Sequence, residues 1–334
     1  MQSSFEVVWR AIEFKGPDRL PVSLDSLGLS DIHRVPWRQI GTGNKELQQS
    51  VDEWGCLWQR SEQKNMGQVK GHPLLSWKDL AHYHWPNPDD PSFYDGMETR
   101  FSGSEGKYIV SGIFMLLFER MQALHGFENT LSDLLLEREK IEFLADKIVE
   151  IDLNLIRNIG RRFPGVIHGF TFTDDWGTQQ DLFIKPRLWE DFFKPRYKLL
   201  FNVMHQYGWH IWMHSCGVVT PIIESLIEIG LDVINLQQPR ALGIEAVGSQ
   251  FAGRICFESL CDIQSTLPVK DADYIHAEAQ LLLQHWGTPQ GGFILSDYGD
   301  GNAIGVTVEK KQIMLKAFHD LDPFRKNEVL YADT

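Results

Sequence analysis

Short β-branched and aromatic runs alternate along the chain with stretches whose apolar residues recur every three or four positions. The clearest case is Val166-Ile-His-Gly-Phe-Thr-Phe-Thr173, which reads as a strand. A polar turn follows it, then Pro186-Arg-Leu-Trp-Glu-Asp-Phe-Phe193 at helical spacing. The same order returns at 209–214 before a helix over 220–229, at 232–236, at 254–257, and at 292–295 before a helix over 307–319. Upstream, 20–24 and 107–111 read as two more strands, with helices expected at 114–124, 129–136 and 138–160. Serial strand and helix units joined by right-handed crossovers predict an α/β fold, a (β/α)8 TIM-type barrel. Residues 51–95 break the rhythm with Gly-rich turns and the run Trp85-Pro-Asn-Pro-Asp-Asp-Pro91, where proline forbids helix and central strand alike. They are expected to form an irregular insertion in a single barrel domain spanning 1–334, behind an N-terminal extension. No Gly-x-Gly-x-x-Gly follows a strand, which removes the signature of a dinucleotide-binding sheet.

Composition narrows the class of partner. The 334 residues are 43% hydrophobic and 23% charged, ordinary values for a chain that buries a core. With 32 Lys and Arg against 45 Asp and Glu, the net charge of −13 repels a nucleic-acid backbone or an anionic bilayer. No apolar run approaches the roughly 18 residues of a membrane span, and Met1-Gln-Ser-Ser-Phe-Glu6 lacks the order of a signal peptide, so a cytoplasmic location is expected. The four cysteines, Cys56, Cys216, Cys256 and Cys261, are too few for a disulfide framework of this size and are expected as thiols.

In such a barrel, chemistry gathers at the carboxyl ends of the strands. The run at 209–214 ends in His214-Ser-Cys-Gly217, and strand alternation turns His214 and Cys216 to one face. An imidazole and a thiol at that spacing suit two ligands of a tetrahedral Zn²⁺, while Gly217 lets the backbone turn sharply. The run ending at Thr173 continues as Asp174-Asp-Trp-Gly-Thr-Gln179. Adjacent carboxylates face opposite ways, so one of them enters the mouth. Asp174 is the expected one, for substrate orientation or proton transfer, and Asp175 is expected to cap a helix or lie in a solvated loop.

These residues, with others, carry a family resemblance. Glu13-Phe-Lys-Gly-Pro-Asp-Arg-Leu-Pro-Val22, Asp52-Glu-Trp-Gly55, the Pro-rich run 85–91, Asp174 to Gln179 with Lys194-Pro-Arg196, and His214 to Gly217 with Leu226-Ile-Glu-Ile-Gly230 resemble the uroporphyrinogen decarboxylase superfamily over nearly the whole chain. The resemblance implies a (β/α)8 barrel and two kinds of activity: decarboxylation, or zinc-dependent methyl transfer linked to corrinoid proteins. True decarboxylases resemble one another in an arginine-containing segment after the first Pro-Val. Here that place reads Ser23-Leu-Asp-Ser-Leu-Gly-Leu-Ser-Asp31, without arginine. The His-x-Cys pair is similar to the zinc signature of the methyltransferase branch, whose third ligand is a sulfur from a later strand.

The corresponding turn here, Leu295-Ser-Asp-Tyr-Gly-Asp300, holds no cysteine. Cys256 is the expected third ligand for its softness, with Asp297 and Glu258 as alternatives; Cys56 and Cys261 are left as structural. The resemblance implies that a methylated small molecule donates its methyl group to a corrinoid held by a partner protein, and the eleven tryptophans are compatible with a methoxylated aromatic and an O-demethylase type of reaction. Asp174 or Tyr298 would handle the proton, and Trp176, Trp212 and Gln179 would contact substrate. The chain carries no Asp-x-His-x-x-Gly of its own, so the corrinoid has to come from a separate protein. A homodimer is the candidate assembly. The alternative is a metal-independent decarboxylase, a carboxy-lyase, acting on a carboxylated small molecule.

Overall fold

A computed structural model describes residues 1–36, 48–60 and 67–325. All seven strand-like runs are strands: β1 (Val22–Leu24), β3 (Tyr108–Gly112), β4 (Gly169–Thr173), β5 (His210–His214), β6 (Val233–Leu236), β7 (Cys256–Ser259) and β8 (Phe293–Ser296). An eighth, β2 (Ile32–Pro36), lies beside β3. Its Ile-His-Arg-Val-Pro sequence lacks a clean two-residue period, which hid it from the hydrophobic pattern. Helices follow the strands as expected, including α1 (Phe118–His125), α2 (Arg138–Arg162), α3 (Lys194–Gln206) and α4 (Val308–Asp320). The fold is a (β/α)8 TIM-type barrel. No described helix is long and apolar enough to cross a membrane.

The chain divides into two compact units, Met1–His33 with Ser104–Tyr108 and Asp232–Thr334, and Arg34–Gly103 with Ile109–Leu231. In the first, β1, β8, β7 and β6 follow one another as hydrogen-bonded neighbours, and the pairs β1 with β8, β8 with β7 and β7 with β6 are parallel. Phe257 stacks on Trp286 and Phe293 on Phe318, so these strands bury aromatic rings against the helices that follow them.

In the second unit, β3, β4 and β5 are parallel, and Thr173 of β4 pairs with His214 of β5. Helix α1 begins four residues later than the sequence suggests. The preceding amides bond instead to β4: Ile113 N donates to Thr171 O at 3.1 Å and Leu116 N to Thr173 O at 3.0 Å. Helix α2 is held by an apolar stripe of Ile141, Leu144, Ala145, Ile148, Leu155, Ile156 and Ile159 at helical spacing, and it ends in Arg161 and Arg162, which suit the helix dipole.

An antiparallel three-stranded sheet, Gln49–Val51, Leu57–Gln59 and Gln68–Gly71, begins just before the stretch expected as irregular and runs into it. A buried ion pair secures it. Asp52 accepts hydrogen bonds from Trp54 N (3.0 Å), Cys56 N (2.8 Å) and Trp58 Nε1 (2.9 Å), and Arg120 of α1 donates to it through Nη1 at 3.1 Å. Both side chains are shielded from solvent, Arg120 at 1% exposure and Asp52 at 0%. Breaking one side of such a pair strands the other charge. Asp52→Asn is therefore expected to cost about 3–5 kcal/mol of stability in urea unfolding, with most of it recovered in Asp52→Asn combined with Arg120→Met. A loss below about 1 kcal/mol in the single variant would contradict the role given to the pair.

Candidate metal and substrate site

The two loops that leave β4 and β5 are joined residue by residue. Asp174 N donates to His214 O at 3.0 Å, Trp176 N to Ser215 Oγ at 3.1 Å, Cys216 N to Asp175 Oδ1 at 2.8 Å, and Val218 N to Thr178 O at 2.8 Å. Glycine is required at both crossings. A Cβ on Gly177 would stand 2.5 Å from Val218 N, and one on Gly217, whose φ is +76°, would stand 2.2 Å from Gly177 O.

Strand alternation then sorts the side chains. On β4, Phe170 and Phe172 are buried, and Phe172 packs against Tyr197 and Phe201 of α3. Asp174 continues that face, and Asp175 continues the face of Thr171 and Thr173. On β5, Trp212, His214 and Cys216 share one face, with Ile211 and Met213 on the other.

The structure places the two aspartates the other way round from the expectation: Asp174 meets the helices and Asp175 faces His214 and Cys216. Asp174 is fully buried. Its carboxylate accepts from the backbone amides of Leu117 (2.8 Å), Phe118 (3.2 Å) and Glu119 (2.7 Å) at the start of α1, and from the Tyr197 hydroxyl. It is the helix cap, placed there because it lies on the face that meets the helices. Burial pushes its carboxyl up to about 6, against the pull of these donors.

Asp175 instead joins His214 and Cys216. Their ligand atoms all lie within 4.8 Å of one another, the one such group of three or more among the described residues. Cys216 Sγ is 3.4 Å from His214 Nε2, which is 3.9 Å from Asp175 Oδ1. All three side chains keep some solvent access. Burial, Asp175 and Glu119 push the Cys216 thiol up to about 12, so a thiolate here needs a cation beside it. Sulfur, nitrogen and carboxylate oxygen at these separations form a donor set that zinc accepts.

The remaining expected residues separate. Cys256 lies outside the group. It opens β7, at the end of the strand away from its carboxyl terminus, and is fully buried. Desolvation and nearby Glu258 and Asp232 hold its thiol well above the ordinary range. Asp175, and not Cys256, stands beside His214 and Cys216. Glu258 is buried in the middle of β7. Asp297 follows β8, where Lys311 Nζ sits 3.2 Å from its carboxylate and Ser26 Oγ donates to it. Lys311 also donates to Tyr298 O at 2.7 Å, which fixes the turn carrying Tyr298.

Trp176 does not line an opening. It is fully buried, stacked on Phe118 at 4.1 Å between ring centres and packed edge-on against Phe193 and Trp189. Trp212 is buried on the face of His214, with the Arg34 guanidinium 5.4 Å from its ring centre, and Gln179 is exposed.

One further acid belongs near the group and was not picked out from the sequence. Glu119, the second residue of α1, accepts from Thr173 Oγ1 at 2.6 Å, and burial together with Asp175 and Asp174 raises its carboxyl well above the ordinary range. Its position depends on where α1 begins, which the helical pattern did not resolve.

A (β/α)8 barrel with an Asp-His-Cys group on two adjoining strand ends is the class of protein these observations define. The sequence profile of the uroporphyrinogen decarboxylase (URO-D) family matches residues 64–321, and the chain belongs to that family. No curated protein matches the sequence. Among solved structures, a methyltransferase from Methanosarcina mazei is similar over 96% of this chain and 99% of its own, with a TM-score of 0.67 and 16% identity, and so shares the fold. A glycosylated endo-β-1,4-xylanase of glycoside hydrolase family 10 from Gloeophyllum trabeum overlaps 70% of this chain and 82% of its own, at 10% identity and a TM-score of 0.41.

The capping role of Asp174 has a direct consequence. In Asp174→Asn the amide nitrogen would face backbone N–H donors, and the variant is expected to lose about 2–3 kcal/mol in thermal or urea unfolding. Tyr197→Phe, which removes one of the four donors, is expected to lose only about 1 kcal/mol. A smaller loss in Asp174→Asn than in Tyr197→Phe would refute the assignment.

Proposed function

We propose that the protein is a zinc-dependent methyltransferase that moves a methyl group from a methylated small molecule, a methoxylated aromatic in the first instance, to a corrinoid carried by a partner protein. The observation that carries this reading is the convergence of Asp175, His214 and Cys216 within 4.8 Å on two adjoining strand ends. Three protein ligands of mixed S, N and O type leave a fourth position open, the pattern of a catalytic zinc site and not of a structural one. The fold shared with the methyltransferase from Methanosarcina mazei supports the same branch of the family.

His214 Nε2, Cys216 Sγ and Asp175 Oδ1 would hold the ion. Zinc bound there would supply Lewis acidity toward the heteroatom carrying the methyl group and would stabilise the Cys216 thiolate. The chain provides the setting. Cys216 N donates to Asp175 Oδ1 and so fixes the carboxylate, while the Gly177 and Gly217 crossing keeps the two loops in contact. Trp212, on the face of His214, offers an aromatic surface for substrate. Glu119, held by Thr173, is a second carboxyl on this side, and Tyr298 stands in the turn after β8. Asp174 belongs to the frame because four donors already occupy its oxygens. A corrinoid on the partner protein would supply the acceptor for the methyl group.

Purified protein is expected to contain about one zinc by elemental analysis. His214→Ala, Cys216→Ala and Asp175→Asn should each lose most of it, while Cys256→Ser should keep it. Incubated with methoxylated aromatics and a reduced corrinoid protein, the native enzyme should form methyl-cobalt, and the three metal-site variants should not. Metal-free protein that releases CO₂ from a carboxylic acid, or demethylation that proceeds equally well without corrinoid, would overturn the reading.

A further inference from the structure

Strand β1 is followed by a hairpin where a (β/α)8 barrel ordinarily lays a helix. After Leu24 the chain makes a 3-10 turn, Asp25–Leu27, and returns as the two-residue strand Leu29–Ser30, antiparallel to β1. Between this hairpin and α4 lies a cavity of about 740 Å³. Its apolar surface is formed by Leu20, Val22, Leu29, Leu295, Leu315 and Phe318. Leu295 and Phe318 are fully buried, whereas Leu29 is 48% exposed, so apolar surface continues from the core out to solvent. Open apolar surface of this kind marks a binding site, and the volume falls within the roughly 300–1,000 Å³ of sites that take small organic molecules.

The charged residues on the wall select the head group. Arg19 donates through both terminal nitrogens to Asp31, with Nη1 2.7 Å from Oδ2, and Asp18 and Asp322 also act on it. Arg325 Nε lies 3.5 Å from Asp322, which accepts as well from Leu20 N and Phe324 N. Lys316 and His319 both meet Asp320. Each acid on the wall therefore has a cation, and one cation has no acid. Lys107 is half-buried, and its ammonium makes no ion pair among the described residues. A lysine stem lies readily along apolar surface while its charged end stays in reach of solvent and anions.

We propose that this cavity binds an aliphatic monocarboxylate, a medium-chain fatty acid in chemical class, with its chain on the apolar surface and its carboxylate against Lys107 Nζ. A single head-group charge matches the single cation that has no acid beside it. The site shares no residue with the Asp175, His214 and Cys216 group, and the proposal stands independently of the methyl-transfer reading. Because Lys107 keeps contact with solvent, salt weakens its attraction for the carboxylate.

The test is calorimetric titration of the whole chain with sodium octanoate, with 1-octanol as the uncharged chain of equal length. Saturable binding of octanoate is expected, weakening as sodium chloride is raised, and octanol should bind about tenfold or more weakly. Lys107→Gln should bind octanoate about as weakly as the wild type binds octanol. Leu29→Glu, which sets an acid on the exposed apolar edge, should also weaken it, and Cys216→Ala should bind as the wild type does. Lys107 and Leu29 both have solvent access, so the ligand-free variants should melt as the wild type does. Absence of saturable octanoate binding, octanol bound as tightly as octanoate, undiminished affinity in Lys107→Gln, or loss of binding in Cys216→Ala would each overturn the proposal. So would crystals soaked with octanoate in which protein chain, its own or a neighbour's, fills the cavity.

Discussion

The carboxylate of Asp174 at the amino end of α1 is the contact on which the site unit depends. Three backbone amides that a helix leaves without internal partners converge on it, and the Tyr197 hydroxyl supplies a fourth donor from α3. One side chain at the end of β4 thereby fixes where α1 starts and which turn of α3 packs beside it. Arg120 directly follows Glu119, the last capped position, and reaches Asp52, so the three-stranded sheet is held by the same chain of contacts. Asp175 is left free to turn toward His214 and Cys216.

Beneath this anchor lies an aromatic floor. Trp176, Phe118, Phe193, Trp189 and Tyr197 are fully buried against one another. Residues Trp189–Phe193 form a π-helical turn between Pro186–Leu188 and α3, and this wider turn carries Trp189, Phe192 and Phe193 into the floor. Rigid rings under the loops hold in place the Asp175, His214 and Cys216 side chains that two strand ends bring together. The glycine pair serves the same end from above, bringing two backbones closer than any side chain would allow.

The departures from the sequence reading share one cause. Asp174 and Asp175 are neighbours in sequence and opposites in space, and the deciding clue was present in the chain: Phe170 and Phe172 mark the helix-facing side of β4, and Asp174 keeps their parity. Tryptophans near a strand end look like substrate contacts, but Trp176 belongs to that helix-facing side and Trp212 to the side of His214. Cys256 attracted attention for its softness, yet it begins its strand instead of ending it. Asp297 was legible as a carboxylate in the right turn, while Lys311, fourteen residues on, could be recognised as its partner only once α4 was folded against that turn.

The sequence by itself determined the alternation of strands and helices, the (β/α)8 class, the family, and the His214 and Cys216 pair, because each rests on local periodicity or short spacing. A two-residue period survives in any extended segment, whatever surrounds it. Strand parity already turned Asp175 away from the helices, but its meeting with His214 and Cys216, the start of α1, the β2 strand and the burial of Arg120 with Asp52 were decided by tertiary structure. Each depends on register between strands or on contacts such as the 68-residue separation of Arg120 and Asp52, distances over which local pattern carries no information. Thr173 pairs with His214, and extending that register by two residues brings Asp175 beside Cys216. The Asp175, His214 and Cys216 group is therefore completed by how two strands align, which neither strand's own sequence contains.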